Sequence, residues 1–350
     1  MSDTPADISP SRVSLDAALG RPGGGISEDR LETLLGLRYG RDAATHLAGL
    51  ISRPLADLVG RPGKRIRGRL VSLGARLAGA DTAHPDLARL VESVEALHAG
   101  SLAVDDLQDG SAMRRGAPAL HVKFGVPIAV NVGNLLYFWP PEAIAGLGLS
   151  PAAENRLHRL YHRTMVRAHL GQAMDIGVPV DTVPQERVTD LCLAAMELKS
   201  GALFAFSLLV GAVWAGADAG LEDAIDDFGH GFGIALQMFD DIGNVRGTAE
   251  PAKRREDLLL RRPTWIWACA ARHFSREVYT DFVSAVHTLA ASDPHPIETW
   301  FDQHDFLRRA GRLAHDHMDR CFRRFEERAG TPPSLNDLRV LAAEIARAYE

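Results

Sequence analysis

The sequence has few of the features of a secreted or disulfide-stabilised protein. Only three of its 350 residues are cysteines, and Cys192, Cys269 and Cys321 are odd in number and widely scattered. No two of them have the spacing of a metal-ligand pair, so we expect reduced thiols and a cytoplasmic protein. The first 25 residues are polar and rich in proline and glycine, without an apolar centre, and they predict no secretory signal.

An excess of positive charge and a long apolar run are also missing. The formal net charge is −6, which argues against nucleic acid as a main partner because binding to phosphates needs a clustered basic surface. The most apolar stretch, Ala202 to Ala217, is about four residues short of a membrane span. We expect it to form a buried core helix, and we predict no membrane-spanning segment.

Alternating strand patterns and internal repeats are absent as well, whereas apolar residues recur at helical spacing from Ser27 onward. One such helix begins at Pro85, a residue tolerated in the first helical turn, and continues to Ser101 and beyond. The sequence therefore predicts an all-α protein, with a disordered tail over residues 1–26 and a single domain over residues 27–350. We expect this domain to be a bundle of about ten or more helices.

Two aspartates near the end of that helix form the first candidate site. With about 100° of rotation per helical residue, Asp105 and Asp109 lie about 40° apart on one face, with β-carbons about 6 Å apart. Asp106 adjoins them, and Ser101 and His98 precede them along the same stripe. Carboxylates this close repel each other unless a cation binds them, and Mg²⁺ prefers such oxygen ligands. A solvated helix end would give the same pattern, so this motif alone decides little.

A second cluster repeats the pattern on another apolar helix. Gln237, Asp240, Asp241 and Asn244 are spaced so that they share one helix face. The two acidic clusters are expected to face one another and to hold several metal ions. An amphipathic helix that exposes carboxylates to water is the alternative interpretation.

Basic residues accompany both clusters. Lys64 and Arg67 stand where a helix begins, Arg114 and Arg115 follow the first cluster, and Lys199 precedes the long apolar helix. Helix N-termini favour anions, arginine suits bidentate contact with phosphate, and lysine acts as a point charge. Each group alone would be typical of a solvated surface. Together with the two acidic clusters, they indicate two polyanionic substrates bridged by metal ions.

These residues resemble one family, the trans-isoprenyl diphosphate synthases, over roughly residues 60 to 270. Within it the chain is most similar to geranylgeranyl diphosphate synthases, in which the second motif commonly ends in asparagine, as Asn244 does here. The matching motifs, in chain order, are Gly63-Lys64-Arg65-x-Arg67, Glu95-x-x-His98-x-x-Ser101-Leu102, Asp105-Asp106-x-x-Asp109, Arg114-Arg115-Gly116, Gly171-Gln172-x-x-Asp175, Lys199-Ser200-Gly201 and Gln237-x-Phe239-Asp240-Asp241.

The resemblance implies a fold, a cofactor and roles for individual residues. The fold would be the isoprenoid synthase bundle around a central apolar cavity, in a homodimer, with three Mg²⁺ ions in each site. The residues to which it assigns roles fall into five groups: Asp105, Asp109 and Asp240 as metal ligands; Asp106, Asp241 and Lys199 as further catalytic residues; Arg114, Lys199 and Lys253 as contacts of an allylic diphosphate; Lys64, Arg67, His98 and Arg115 as contacts of isopentenyl diphosphate; and Gln237 and Arg262 as further substrate-binding residues.

The same resemblance predicts the product. The family shortens its products with bulky aromatic residues at the fifth and fourth positions before the first aspartate, and here Gly100 and Ser101 occupy these positions. We therefore expect twenty-carbon geranylgeranyl diphosphate, with fifteen-carbon farnesyl diphosphate as the alternative. A terpene cyclase on the same scaffold and a non-catalytic partner of a true synthase also remain open at this point.

Overall fold

The structure is a computed structural model that describes residues 41–61, 63–248, 254–290 and 293–349. The tail predicted for residues 1–26 and the predicted diphosphate ligand Lys253 lie outside these ranges. The described residues form two compact units. The first unit comprises the described residues up to Arg65 together with Ala88–Glu154, and the second comprises Ile66–Leu87 with the described residues from Asn155 onward. The single-domain boundary at 27–350 stays a prediction.

The first unit contains the helix that ends in the first aspartate motif. Its elements are α1 (Arg41–Val59), most of α3 (Pro85–Gln108), β1 (Met113–Arg114), β2 (Ala117–Pro118), α4 (Leu120–Phe124), α5 (Val126–Tyr137) and α6 (Trp139–Ala145). Apolar residues of α1, α3 and α5, among them Leu55, Ala103 and Val132, form its core. The predicted helix start at Pro85 is confirmed, and Pro140 and Pro141 separate α6 from α5 because both fall in the first turn of α6.

The two short strands form an antiparallel hairpin that positions Arg114. The side chain of Arg61 fixes this hairpin by donating hydrogen bonds to the carbonyl oxygens of Arg114 and Pro118, at 3.2 and 2.7 Å. Asp57 on α1 in turn pairs with Arg61 at 2.6 Å. The hairpin is therefore attached to α1 through a buried arginine.

The second unit is built around the long helix that carries the second aspartate motif. Its elements are α2 (Ile66–Leu77), α7 (Pro151–Gly177), a 3₁₀ turn (Val180–Thr182), α8 (Gln185–Met196), a π-helical segment (Glu197–Gly201), α9 (Ala202–Trp214), α10 (Ala219–Arg246), α11 (Glu256–Leu259), α12 (Trp265–His273), α13 (Arg276–Ala290), α14 (His295–Gln303), α15 (Phe306–Ala329) and α16 (Pro333–Tyr349). Phe228 of α10 packs against Phe322 and Phe325 of α15, with ring centroids 5.1 and 5.3 Å apart. Trp265 and Trp267 are buried in the same core, as expected for packing residues.

The apolar stretch predicted as a core helix is α9, and most of its side chains are buried. By length and composition alone, the continuous helical run Gln185–Trp214 is long and apolar enough to cross a membrane, but 67% of its most apolar window is buried inside the structure. This burial is that of a core helix. The all-α fold class is confirmed, since β1 and β2, of two residues each, are the strands found among the described residues.

Candidate active site

The first aspartate motif begins in the last turn of α3, where the helix dipole makes carboxylates unfavourable, and ends with Asp109 directly after the helix. That turn contains no basic residue. Arg114 from the hairpin supplies the missing positive charge. Its Nε lies 2.8 Å from Oδ1 of Asp106, and its Nη2 lies 3.3 Å from Oδ2 of Asp105. Asp106 is almost fully buried, whereas Asp105 and Asp109 are partly accessible. The two predicted metal ligands are thus the carboxylates that a ligand can reach.

A second basic group lies in the same unit. The guanidinium of Arg115 lies against Gly63, so that a β-carbon placed on Gly63 would be 2.7 Å from Nη1 of Arg115. Lys64 follows directly and is exposed. Arg65, by contrast, pairs with Glu92 of α3. The structure therefore brings together Lys64 and Arg115, two residues predicted to bind isopentenyl diphosphate.

The two positions predicted to control product length have different surroundings. A β-carbon at Gly100 would lie 2.7 Å from both the carbonyl oxygen of Gly133 and Cβ of Leu136, so α3 and α5 are in direct backbone contact there. Ser101 is half-buried, and its hydroxyl donates to the carbonyl oxygen of His98 at 2.8 Å. Gly100 is thus a packing residue in this structure, whereas Ser101 is partly accessible.

Tyr137 at the end of α5 belongs to the surroundings of the first motif. Burial, with a further contribution from the carboxylate of Asp105, raises the pKa of Tyr137 to about 12. The phenol is therefore neutral at physiological pH. Tyr137 therefore places a neutral, mostly apolar ring near Asp105.

The second aspartate motif, on α10, is held by a chain of hydrogen bonds. The Ser200 hydroxyl donates to Oε1 of Gln237 at 2.6 Å. Nε2 of Gln237 donates to Oδ1 of Asp241 at 2.8 Å, with Oδ2 of Asp240 at 3.4 Å. Oδ2 of Asp241 accepts the backbone N–H of Trp265 at 2.6 Å. Asp241 is buried and joins α10 to the start of α12, whereas Asp240 remains partly accessible.

Lys199 lies in the π-helical segment Glu197–Gly201, an arrangement found frequently at functional sites. Its Nζ is 2.7 Å from Oδ2 of Asp175. Glycine is required at position 171, opposite Lys199, because a β-carbon there would lie 2.4 Å from the backbone nitrogen of Lys199. Arg262 donates to the carbonyl oxygen of Asp175 at 3.0 Å. Lys199, Gly171 and Arg262, all named in the sequence analysis, therefore meet around Asp175 in the second unit.

Two acidic residues near the second motif were not predicted as site residues. They are Asp175, which appeared only in the motif that begins with Gly171, and Asp257. Burial, followed by the carboxylates of Asp240 and Asp175, raises the pKa of Asp257 to about 7, although Lys199 opposes the shift. Burial, followed by Asp257, likewise raises the pKa of Asp241 well above its ordinary value. The site holds more negative charge than Lys199 alone balances, which favours binding of a cation.

Arg67 and His98, the remaining predicted ligands of isopentenyl diphosphate, lie in different units. The guanidinium of Arg67 is 5.0 Å from the ring centroid of Phe204 in the second unit. His98 lies within α3 of the first unit, about two turns before Asp105. The two aspartate motifs are likewise divided between the units, and their expected facing stays a prediction.

An all-helical fold with two aspartate-rich motifs, each accompanied by arginine or lysine, defines a class of protein that binds metal ions and diphosphates. The polyprenyl synthetase family model matches residues 48–292 of this chain. The chain therefore belongs to the polyprenyl synthetase family.

Individual relatives and solved structures agree with this assignment. A geranylgeranyl pyrophosphate synthase of Clitopilus passeckerianus is 31% identical over 165 residues, which cover 46% of this chain and 45% of that protein. A crystal structure of a geranylgeranyl pyrophosphate synthase matches with a TM-score of 0.75 at 19% identity, covering 85% and 92% of the two chains. The Corynebacterium glutamicum enzyme, complexed with isoprenyl diphosphate and magnesium, matches with a TM-score of 0.69 at 24% identity, covering 92% and 95%.

The two structural matches show a shared fold. The chain spans about half the length of the curated relatives it matches, from 45% to 61% among five of them. The family and the fold are therefore established, whereas activity, substrates and partners are matters of proposal.

Proposed function

We propose that this protein is a prenyltransferase that condenses isopentenyl diphosphate with an allylic diphosphate and releases diphosphate. The observation that carries this proposal is the end of α3, where the last turn has no basic residue of its own and Arg114 from the hairpin contacts Asp105 and Asp106, with Asp109 directly after the helix. Such an arrangement suits a metal ion that brings a diphosphate with it. Relatives named as geranylgeranyl pyrophosphate synthases support the same reaction.

The cofactor in this proposal is Mg²⁺, with three ions in each site. The donor set fits, because Asp105 and Asp109 of the first motif and Asp240 of the second offer partly accessible carboxylate oxygens, the ligands that Mg²⁺ prefers. Mg²⁺ commonly uses only one or two carboxylates and completes its shell with water and substrate phosphate. When bound, it would offset the charge that accumulates on the leaving diphosphate.

Residues of this chain would hold the two diphosphates. Arg114 and Lys199 are proposed contacts of the allylic diphosphate, since each is already paired with a carboxylate of its motif surroundings. Lys64 and Arg115 are proposed contacts of isopentenyl diphosphate, together with Arg67 and His98 by resemblance. This division gives each substrate its own cations, as a condensation of two diphosphates requires.

The reaction in this proposal needs no protein nucleophile. The allylic C–O bond breaks, the double bond of isopentenyl diphosphate attacks the resulting cation, and loss of a proton completes the new double bond. The departed diphosphate is the proposed base. The protein's contribution is to fix both diphosphates and to exclude water from the cation.

Geranylgeranyl diphosphate is the proposed product. Ser101 is a small residue on the face of α3 that carries Asp105, and no bulky aromatic residue stands at either position that shortens products in this family. Farnesyl diphosphate remains the alternative product. Further proposals are a cytoplasmic location, supported by three buried unpaired cysteines, and a homodimer, supported by exposed apolar side chains such as Val126 on α5 and Leu170 on α7.

The test is to incubate the purified protein with Mg²⁺, isopentenyl diphosphate and each allylic diphosphate, and to size the products by mass spectrometry. We expect twenty-carbon geranylgeranyl diphosphate with one diphosphate released for each condensation. Cyclic hydrocarbons formed without isopentenyl diphosphate would assign a terpene cyclase instead. If the protein has no turnover by itself but activates a separate synthase, its function would be that of a non-catalytic partner.

A further inference from the structure

A cavity of about 380 Å³ lies in the second unit, between the end of α12 and the first half of α15. It is lined by His273, Arg309, Arg312, Leu313, His315 and Asp316. None of these residues has a role in the proposed condensation. Two of the six carry a guanidinium, two carry an imidazole and one carries a carboxylate, so the fixed positive charges of the lining outnumber its negative charge.

The two arginines differ from ordinary surface arginines. The guanidinium of Arg309 lies 5.2 Å from the ring centroid of Phe274, a contact typical of cation–π interaction. Phe274 is itself fixed by packing against Trp300 and Phe306. Within the described ranges, neither Arg309 nor Arg312 forms an ion pair, whereas the adjacent Arg308 pairs with Asp305. Arg309 is therefore held by an aromatic ring and has no direct ion pair, although it lies close enough to Asp305 to help lower the pKa of that carboxyl group.

The two imidazoles, His273 and His315, add hydrogen-bonding groups to the lining. Burial, with further contributions from the positive charges of Arg272 and Arg309, lowers the pKa of His273. His315 is positioned by an edge contact with Phe239, with centroids 4.8 Å apart. An anion in the cavity would lower the cost of charging His273 and would give both rings a hydrogen-bond acceptor. Both imidazoles are therefore additional donors for an anion that the arginines attract.

We propose that this cavity binds a compact phosphoryl anion, of the class of inorganic phosphate or diphosphate. Planar guanidinium groups match phosphoryl oxygens in bidentate geometry. The cavity volume lies within the range of small-molecule sites. Asp316 is the one carboxylate in the lining, and its single charge does not balance two arginines. A nucleic acid or an extended polyanion is not required, because the cationic groups are confined to one cavity.

The proposal is tested by titrating inorganic phosphate and inorganic diphosphate into the full-length protein by calorimetry, with chelator present so that metal-dependent binding at the aspartates is suppressed. The Asp105→Ala and Asp240→Ala variants are titrated in parallel, because the cavity should bind the anion whether or not the proposed condensation is correct. We expect a site that is retained in Lys64→Ala/Arg115→Ala, which removes two proposed contacts of isopentenyl diphosphate, and whose affinity is weakened about tenfold or more in Arg309→Gln/Arg312→Gln, since charge-assisted contacts are lost. Arg323→Gln, an exposed arginine on the same helix, should bind as the unaltered protein does.

Nuclear magnetic resonance of histidine-labelled protein provides a second measurement. We expect the pKa of His273 to rise on addition of either anion, with the His273→Asn variant assigning the signal. Should the double arginine variant fail to fold, this measurement on the unaltered protein still decides the matter. No binding of either anion up to about 10 mM, or equal binding by the arginine variant, would overturn the proposal.

Discussion

The hydroxyl of Ser200 lies 2.6 Å from Oε1 of Gln237, and this hydrogen bond joins the π-helical segment to the second aspartate motif. The bond fixes the orientation of the Gln237 amide, because a hydroxyl donor must meet its oxygen. Nε2 is consequently directed toward Asp241 and Asp240. Ser200 thus acts on the proposed metal ligand through another side chain, as a positioning residue.

Replacing Ser200 by alanine should lower kcat/KM about fivefold to tenfold, since one neutral hydrogen bond contributes about 1 kcal/mol. The Ser200→Thr variant keeps the hydroxyl and should restore activity. Ser207→Ala is the matched control, because Ser207 is also buried in the following helix but donates only to the carbonyl oxygen of Leu203. Steady-state kinetics at saturating Mg²⁺ measures the effect. Equal losses in the Ser200→Ala and Ser207→Ala variants would mean that only packing is involved.

Removing Asp105 should abolish condensation without unfolding the protein. Asp105 is partly accessible at the end of α3, so Asp105→Ala removes a metal ligand and no core volume. We expect at least a roughly hundredfold loss of turnover, with an unchanged helical signal in circular dichroism. A chelator should have the same effect on the unaltered protein, reversed by added Mg²⁺. Asp86→Ala, at the other end of α3, is the control, and full turnover by Asp105→Ala would contradict the metal mechanism.

Lys64 and Arg115 should act on isopentenyl diphosphate in preference to the allylic substrate. Because Arg115 lies against Gly63, the two cations share one region of the first unit. Lys64→Ala/Arg115→Ala should raise KM for isopentenyl diphosphate about tenfold or more, since each charge-assisted contact is worth about 1.5–3 kcal/mol. KM for the allylic substrate should change far less. Arg69→Ala, which removes an exposed arginine paired with Glu344, is the control, and equal effects on both substrates would reverse the assignment.

The sequence predicted the helical fold and the aspartate motifs because both depend on local spacing. The helical periodicity and Pro85 placed the helix that carries Asp105, and the structure confirms it. The partners of Asp241 and Asp257 were not predictable in the same way. Trp265 N–H reaches Asp241 from 24 positions further along the chain, and the burial that raises the pKa of Asp257 is a property of tertiary packing. Neither the contact between Trp265 and Asp241 nor the burial of Asp257 produces a periodic pattern in the sequence.

Gly100 illustrates a different limit of prediction from sequence. The family resemblance pointed to this position as a determinant of product length, but in the structure Gly100 is a packing residue. A β-carbon there would lie 2.7 Å from the carbonyl oxygen of Gly133. Gly100→Ala should therefore destabilise the protein by about 1–3 kcal/mol through overpacking, seen as a lower melting temperature. Gly311→Ala is the matched control, because a methyl group at that position on α15 would meet no other atom within 4 Å. That variant should be stabilised by about 0.5–1 kcal/mol, as alanine is in an open helical position. Identical melting temperatures for both variants would contradict close packing of α3 on α5.

Product length provides the last test, and Ser101 is the residue that should control it. Ser101 lies one turn before Asp105 on the same face of α3, so a prenyl chain that extends from the aspartates along this helix passes it. Its hydroxyl donates to the backbone carbonyl of His98 within the same helix, so replacing it removes no proposed catalytic group. Ser101→Phe should fill the space beside α3 and move the main product to fifteen carbons or fewer, with the first condensation retained.

Ser101→Ala is the control for this last variant, since it removes the hydroxyl without adding volume and should still yield the twenty-carbon product. Products are sized by mass spectrometry with isopentenyl diphosphate in excess, so that supply does not limit elongation. The phenylalanine ring acts by blocking space, and its effect should therefore appear in chain length before it appears in the rate of the first step. A fifteen-carbon product from the unaltered protein, together with no change in Ser101→Phe, would show that the chain does not run along this face of α3.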